Sequence, residues 1–130
     1  MVLDTSALFA LIAGEPEADH FRGAILAADS LVISAVTVLE TCIVPRSRLG
    51  LGACDAFEEW LIASSVTVVP FDHQQAAEAL NAFNRFGKGQ GHPAQLNICD
   101  CASYALAKIR GEPLLFKGAD FSRTDIGSVG

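Results

Sequence analysis

Met1-Val2-Leu3-Asp4-Thr5-Ser6-Ala7-Leu8 opens the chain and places one carboxylate between two apolar runs. Val2-Leu3 is typical of a short buried strand, and the residues from Thr5 to Ala13 have the apolar spacing of a helix. An Asp between them commonly caps the helix that follows. Ligands of open α/β sheets also bind at the carboxyl ends of parallel strands. Asp4 is therefore either a helix cap or part of a ligand site.

Downstream of this stretch, short apolar runs alternate with amphipathic segments along the whole sequence. The predicted strands are Val2-Leu3, Leu31-Val32-Ile33, Val66 to Val69 and Leu114-Leu115-Phe116, with a short edge strand within Ile126 to Val129. The predicted helices are Thr5 to Ala13, Ala18 to Ala28, Val36 to Val44, Cys54 to Ala63, Asp72 or His73 to Phe86, and Ile98 to Arg110, with Ser34 and Asn97 as caps and a kink or break at Pro45. This alternation predicts an α/β fold in which a mainly parallel sheet of four or five strands carries helices on both faces.

Composition fits an ordinary folded domain. The chain has 130 residues, of which 51% are hydrophobic and 18% charged, so we expect one domain over residues 1–130 with a full core. A formal charge of −6 argues against a protein whose whole surface binds nucleic acid, although a local basic groove remains compatible with it. The cysteines and histidines match no zinc motif, and no uncharged apolar run is long enough for a membrane span. We expect a soluble protein of a reducing cytoplasm.

Four carboxylates stand at the ends of predicted strands or in the first turns of predicted helices: Asp4, Glu40, Asp100 and Asp120. Each has a structural alternative, because Thr37-x-x-Glu40 and Asn97-x-x-Asp100 resemble capping boxes and Asp120 suits a turn. Clustered carboxylates, by contrast, raise their pKa values or bind a cation. Oxygen ligands favour hard ions such as Mg²⁺ or Mn²⁺. If folding gathers these acids, we expect a divalent metal site.

The glycine-rich loop from Gly87 to Pro93 carries no known phosphate-binding motif. It lacks the Walker A pattern, and no dinucleotide fingerprint follows the first strand. The segment from Arg85 to His92 is locally basic. With Arg46, Arg48, Lys117 and Arg123, it could form a rim for a nucleic-acid backbone, or these residues could be ordinary solvated charges.

Several stretches together resemble the PIN-domain ribonucleases, and among them the VapC-type toxins of bacterial toxin–antitoxin pairs. They are Met1 to Leu8, Leu39-Glu40-Thr41-Cys42-Ile43-Val44, Phe86-Gly87-Lys88-Gly89, Leu96-Asn97-Ile98-Cys99-Asp100-Cys101, Leu114 to Phe121 and Thr124-Asp125-Ile126. The resemblance implies an α/β/α PIN fold, dependence on Mg²⁺ or Mn²⁺, and cleavage of RNA. It also implies a homodimer and a small antitoxin partner of the VapB type.

Residue by residue, the resemblance implies that the catalytic, metal-binding acids are Asp4, Glu40, Asp100 and Asp120. Thr5 or Ser6 would orient Asp4 or a bound water, Asp125 would stand behind the metal ligands, and Arg48, Lys88 and Lys117 would contact RNA. Two positions depart from the family pattern. Ile98-Cys99 stands where an aromatic residue and a glycine are usual, and Pro45-Arg46 interrupts the helix that carries Glu40.

The residues leave three functional hypotheses. The first is a metal-dependent endoribonuclease that uses a metal-activated water. The second is a catalytically weakened PIN module that mainly binds an antitoxin, because the departures near Pro45 and Cys99 have reduced its activity. The third is a phosphatase-like hydrolase with Asp4 as its nucleophile, for which a D-x-D pair would be expected where Ser6 stands.

Overall fold

Four short strands form the sheet at the centre of the molecule. The structure is a computed structural model and describes residues 1–129, apart from the side chain of Ser47. The strands are β1 (Val2–Leu3), β2 (Val32–Ser34), β3 (Thr67–Val69) and β4 (Leu114–Leu115). They lie in the order β3-β2-β1-β4, and every neighbouring pair is parallel. The predicted parallel sheet is therefore confirmed.

The helices surround this sheet in the predicted order. They are α1 (Thr5–Ile12), α2 (Ala18–Ala27), α3 (Ala35–Ile43), α4 (Arg46–Leu49), α5 (Gly52–Ala63), α6 (His73–Phe86) and α7 (Ile98–Arg110), followed by a 3₁₀ turn at Phe121–Arg123. The predicted caps Ser34 and Asn97 both accept hydrogen bonds from the first turns of their helices. Pro45, which lacks a backbone N–H, separates α3 from α4, as predicted.

Alternating side chains of the strands divide the core into two layers. Val2, Val32 and Leu114 pack on one side of the sheet with residues of α6 and α7. Leu3, Ile33 and Leu115 pack on the other side with residues of α1, α2 and α5. Successive residues of a strand point to opposite faces, so each short strand supplies both layers. The helices therefore cover both faces of the sheet, as the α/β/α prediction requires.

The carboxyl-terminal tail forms less of a strand than we predicted. Within Ile126 to Val129, a single parallel bridge joins Ser128 to Leu114, and the Leu114 N–H donates to the Gly127 carbonyl at 2.9 Å. Because β4 is only two residues long, it offers the tail few backbone groups to pair with. In the part of the chain described, we find no helix with both the length and the apolar character needed to cross a membrane.

Candidate functional site

A cavity of about 420 Å³ lies beside Asp4, where β1 ends. Its lining includes three of the four predicted acids, Asp4, Glu40 and Asp100, which come from β1, α3 and α7. Thr5, Ser6 and Lys117 also line it. Parallel strands bring their carboxyl ends and the following helix starts to one edge of the sheet, which explains how acids so distant in sequence meet. We refer to this cavity as the acidic pocket.

Asp4 is almost completely buried and is fixed by its own helix start. The Ser6 backbone N–H donates to its Oδ2 at 2.9 Å, and the Ser6 hydroxyl donates to the same oxygen at 2.6 Å. Asp4 caps α1, which confirms one interpretation, and it lines the pocket; its place in a ligand site stays a prediction. Burial raises the pKa of the Asp4 carboxyl above its ordinary value, and hydrogen bonds from Ser6 and Ser103 oppose that change.

Glu40 enters the pocket from the second half of α3. Burial raises the pKa of its carboxyl, a hydrogen bond from Thr5 opposes the rise, and the negative charge of Asp4 adds to it. The capping box proposed for Thr37 and Glu40 is wrong, because Ser34 caps α3 and Thr37 lies buried inside it. Glu40 is therefore free of any capping role.

Asp100 combines a structural and an electrostatic role at the start of α7. Its backbone N–H donates to the Asn97 side chain at 2.8 Å, and its Oδ2 accepts from the Asn97 N–H at 3.0 Å, which completes a capping box. Burial raises the pKa of Asp100 to about 7, and the charges of Asp4, Glu40 and Asp120 add to the effect of burial. A carboxyl that keeps its proton near neutral pH marks a place where negative charge is concentrated.

Asp120 lies farther out than the other three predicted acids. It is exposed at the start of the 3₁₀ turn and is not among the residues that line the pocket. Its charge nevertheless raises the pKa of Asp100, so it lies within electrostatic reach of the site. The structure thus gathers three of the acids closely and leaves Asp120 at the periphery.

The donor set of the acidic pocket fits a hard divalent cation. Asp4 Oδ1 and Glu40 Oε1 are buried oxygens without a hydrogen-bond partner, and buried polar atoms of this kind call for a bound ion or water. Among the described residues, the one group of three ligand atoms mutually within 4.8 Å is Cys42, Cys54 and Glu58. The oxygens of the pocket acids are therefore spaced more widely than this, so a cation held there would need water to complete its coordination.

Comparison with known proteins identifies the family. The sequence profile of the PIN domain matches residues 1–127. The chain belongs to the PIN-domain family. A Ribonuclease VapC from Mycolicibacterium smegmatis is 46% identical over 129 residues, an alignment that covers 99% of this chain and 99% of that protein. The PIN domain described here is thus similar to a VapC protein over its full matched length.

Solved PIN-domain structures share this architecture. The crystal structure of Mycobacterium tuberculosis VapC20, described as a Sarcin-Ricin loop cleaving toxin, superposes with a TM-score of 0.82 at 19% identity and covers 98% of this chain and 97% of that one. The DNA-bound VapBC structure from Salmonella typhimurium gives a TM-score of 0.72 at 22% identity and covers 99% of this chain and 95% of that one. At these identities the likeness shows the fold alone.

Sequence reasoning missed a buried polar network behind the acids of this PIN domain. The Thr41 hydroxyl donates to Thr5 Oγ1 at 3.1 Å, and the Thr37 and Ser103 hydroxyls lie 3.0 Å apart. These contacts join α1, α3 and α7, the elements that carry the pocket acids. Buried hydroxyls that form hydrogen bonds with one another hold the helices that carry them in a fixed arrangement. The sequence signal for this network is the pair Thr37 and Thr41, which lie one helical turn apart beside Glu40.

The predicted RNA-contacting residues lie in three different settings. The Lys117 ammonium forms ion pairs with Glu15 and, at 3.2 Å, with Glu17, while its backbone N–H donates to Ser6 Oγ at 2.9 Å. Arg48 lies over the ring of Phe9, a pocket-lining residue, at 5.6 Å. Lys88 is exposed in the loop after α6 and does not line the pocket.

Asp125 belongs to a cluster that lies one to two turns along α7 from Asp100. Its carboxylate accepts hydrogen bonds from the Tyr104 hydroxyl and, at 2.9 Å, from the Lys108 ammonium. The bond from Tyr104 is the largest cause that lowers the pKa of Asp125 to about 2. Its described contacts join the tail to α6 and α7 and none is with a pocket acid, so these contacts do not place it behind the metal ligands. That role stays a prediction.

A second cavity, of about 570 Å³, opens between α1, α2 and α5. Its lining is mainly apolar and includes Leu11, Ile25, Ala56, Phe57 and Trp60. A concave cavity with mainly apolar lining can receive an apolar ligand or side chains of a partner. We refer to this cavity as the apolar groove.

Proposed function

We propose that this PIN-domain protein is a metal-dependent endoribonuclease that acts as the toxin of a toxin–antitoxin pair. The observation that carries the proposal is the convergence of Asp4, Glu40 and Asp100 on one pocket, with two buried oxygens that have no partner. The full-length similarity to a Ribonuclease VapC supports the same activity. The structurally similar VapC20 is a Sarcin-Ricin loop cleaving toxin, which makes structured RNA a reasonable substrate class.

Within the pocket, Asp4, Glu40 and Asp100 would hold Mg²⁺ or Mn²⁺, with Asp120 contributing from the periphery. When bound, such an ion lowers the pKa of a coordinated water and neutralises charge on a phosphate. Ser6 holds Asp4 Oδ2 with two hydrogen bonds, which leaves Oδ1 as the buried oxygen without a hydrogen-bond partner. The raised pKa of Glu40 brings it closer to neutral pH, which suits a group that accepts a proton at Oε1.

Basic residues at the rim would contact the RNA backbone. Arg48 lies beside the pocket through its contact with Phe9, and Lys88 stands exposed in a loop. Lys117 is partly neutralised by Glu15 and Glu17, so we propose that it positions the rim more than it binds phosphate. Contacts of this kind position a nucleic acid without reading its sequence.

The apolar groove is our proposed docking site for a small antitoxin. The VapBC structure from Salmonella typhimurium supports a partner of this class. A helix of the antitoxin would place its apolar side chains against Phe57 and Trp60. We further propose that the protein forms a homodimer and works in the cytoplasm as a single domain.

Cleavage of RNA by the wild-type protein and by Asp4→Asn tests the proposal. Asn caps helices as well as Asp does, so the variant keeps the start of α1 while it loses the charge. Asp19→Asn is the matched control, because Asp19 is an exposed acid on α2 outside the pocket. All three proteins are purified identically, checked for folding by circular dichroism, and assayed with Mg²⁺, with Mn²⁺ and with EDTA.

We expect cleavage by the wild type and by Asp19→Asn only when the metal is present, and a loss of at least about 100-fold in Asp4→Asn. Equal cleavage by Asp4→Asn would refute the assignment of the site. Wild-type protein that binds Mn²⁺ and the antitoxin but cleaves no RNA would favour the alternative of a catalytically weakened module. A trapped phosphoryl group on Asp4 would instead indicate a phosphatase-like hydrolase.

A further inference from the structure

Two cysteines that the sequence analysis left unpaired form a disulfide in the structure. Cys42 near the end of α3 and Cys54 near the start of α5 are joined, with their Cα atoms 4.7 Å apart and a separation of 12 positions in sequence. This separation lies within the range that disulfides usually span. Cys99 and Cys101 are free. Cys42 and Cys54 are therefore the one bonded pair among the four cysteines, all of which lie in the described residues.

The bridged segment contributes one residue to the lining of the acidic pocket and one to the lining of the apolar groove. Val44, just after α3, lines the acidic pocket, and Ala53, just before Cys54, lines the groove. Between them, α4 carries Arg48, whose guanidinium lies over Phe9. Glu40 is two residues before Cys42 on the same helix. A bond between the two cysteines therefore constrains parts of both cavities at once.

Few side chains of the bridged segment are buried. The helix α4 has four residues, which is too short to be stable by itself. Pro45 is buried and anchors one end, but Leu49 and Leu51 are exposed and contribute little to the core. Loss of the bridge would therefore leave the segment from 43 to 53 free to open locally.

We propose that Cys42 and Cys54 are a reversible redox site that clamps the segment between α3 and α5, which reaches both cavities. Oxidation by a low-molecular-weight disulfide proceeds by exchange: the thiolate of one cysteine attacks that disulfide and releases one thiol. The thiolate of the other cysteine then attacks the mixed disulfide, closes the bridge and releases the second thiol, so that two electrons and two protons leave the protein. A dithiol reductant reverses both steps.

Limited trypsin digestion tests the clamp without reference to RNA cleavage, because Arg46 and Arg48 lie inside the bridged segment. Full-length protein is either reduced with dithiothreitol or oxidised with glutathione disulfide, digested, quenched and run on reducing gels. Peptide mapping without reduction identifies which cysteines are linked. We expect a Cys42–Cys54 link, and cleavage after Arg46 and Arg48 about tenfold faster in the reduced protein.

Cys54→Ser should digest at the fast rate under both conditions. The proposal is overturned if glutathione disulfide fails to link Cys42 to Cys54, if it links either of them to Cys99 instead, or if reduced and oxidised wild-type proteins digest equally fast. None of these outcomes depends on whether the protein cleaves RNA. A negative result would therefore leave the ribonuclease proposal unaffected.

Discussion

Replacing Asp100 by Asn should make the metal-free protein more stable while it weakens the site. The pKa of Asp100 rises from 3.8 to about 7 on folding, mainly because of burial. At about 1.4 kcal/mol for each unit of pKa, that change corresponds to about 4 kcal/mol of electrostatic cost at high pH. Asp100 is partly exposed and water screens its charge, so we take half of this cost. The free energy of unfolding of Asp100→Asn should therefore exceed that of the wild type by about 2 kcal/mol at high pH. Asn keeps an oxygen that can accept from the Asn97 N–H, so the cap remains.

The sign of the pH dependence follows from proton linkage. Between the unfolded pKa of 3.8 and the folded value of about 7, the folded wild type holds a proton that the unfolded chain has lost. Its free energy of unfolding should therefore fall as pH rises through this range and change little above it. Asp100→Asn lacks this contribution. Its free energy of unfolding should therefore equal that of the wild type near pH 4 and exceed it by the full amount above about pH 7.

Urea unfolding in EDTA at several pH values measures this difference, with circular dichroism as the signal. The matched control is Asp55→Asn, at an exposed acid in the first turn of α5 outside the pocket. Addition of Mn²⁺ should stabilise the wild type more than Asp100→Asn, since an ion that binds only the folded state raises its stability. Equal stability of the two proteins at pH 8, or a lower stability of Asp100→Asn, would refute the reasoning that burial of the Asp100 charge destabilises the metal-free protein.

The remaining predictions concern the supports of the site. Ser6→Ala removes the hydroxyl that donates to Asp4 and accepts from the Lys117 N–H, and we expect a loss of about 1–3 kcal/mol in the free energy of unfolding by urea. Under oxidising conditions Cys54→Ser should lower the same quantity by about 3 kcal/mol, the chain entropy of a loop of this length, and the difference from wild type should vanish in dithiothreitol. Mn²⁺ affinity, measured by calorimetry, should rise with pH through about 7 as Asp100 loses its proton; an affinity independent of pH would argue against Asp100 as a ligand.

Local sequence signals predicted the framework of the pocket well. A two-residue apolar run before Asp4, the cap at Asn97 and the break at Pro45 are decided within a few residues, and the structure contains all three. The parallel order of strands then places Asp4, Glu40 and Asp100 at one edge of the sheet. The general position of the site thus follows from alternation and from the polarity of parallel strands.

What the sequence did not predict depends on contacts between distant segments. The hydrogen bond between Thr37 and Ser103 spans 66 positions, and the ion pair of Lys117 with Glu15 joins residues 102 positions apart. The sequence suggested Thr37 as a helix cap because threonine occurs both at the starts of helices and, with a buried hydroxyl, inside them. The proximity of Cys42 and Cys54 likewise depends on how α4 turns the chain between α3 and α5, which no local pattern specifies.

The location of a bound divalent cation tests the central claim most directly. Crystals of the wild-type protein soaked in Mn²⁺ should give an anomalous difference peak in the acidic pocket, within coordination distance of Asp4 Oδ1 and an Asp100 carboxylate oxygen. The same soak of Asp4→Asn crystals should give no peak or a much weaker one there. An acidic pocket without a peak in well-occupied wild-type crystals, or a peak that Asp4→Asn leaves unchanged, would contradict the account.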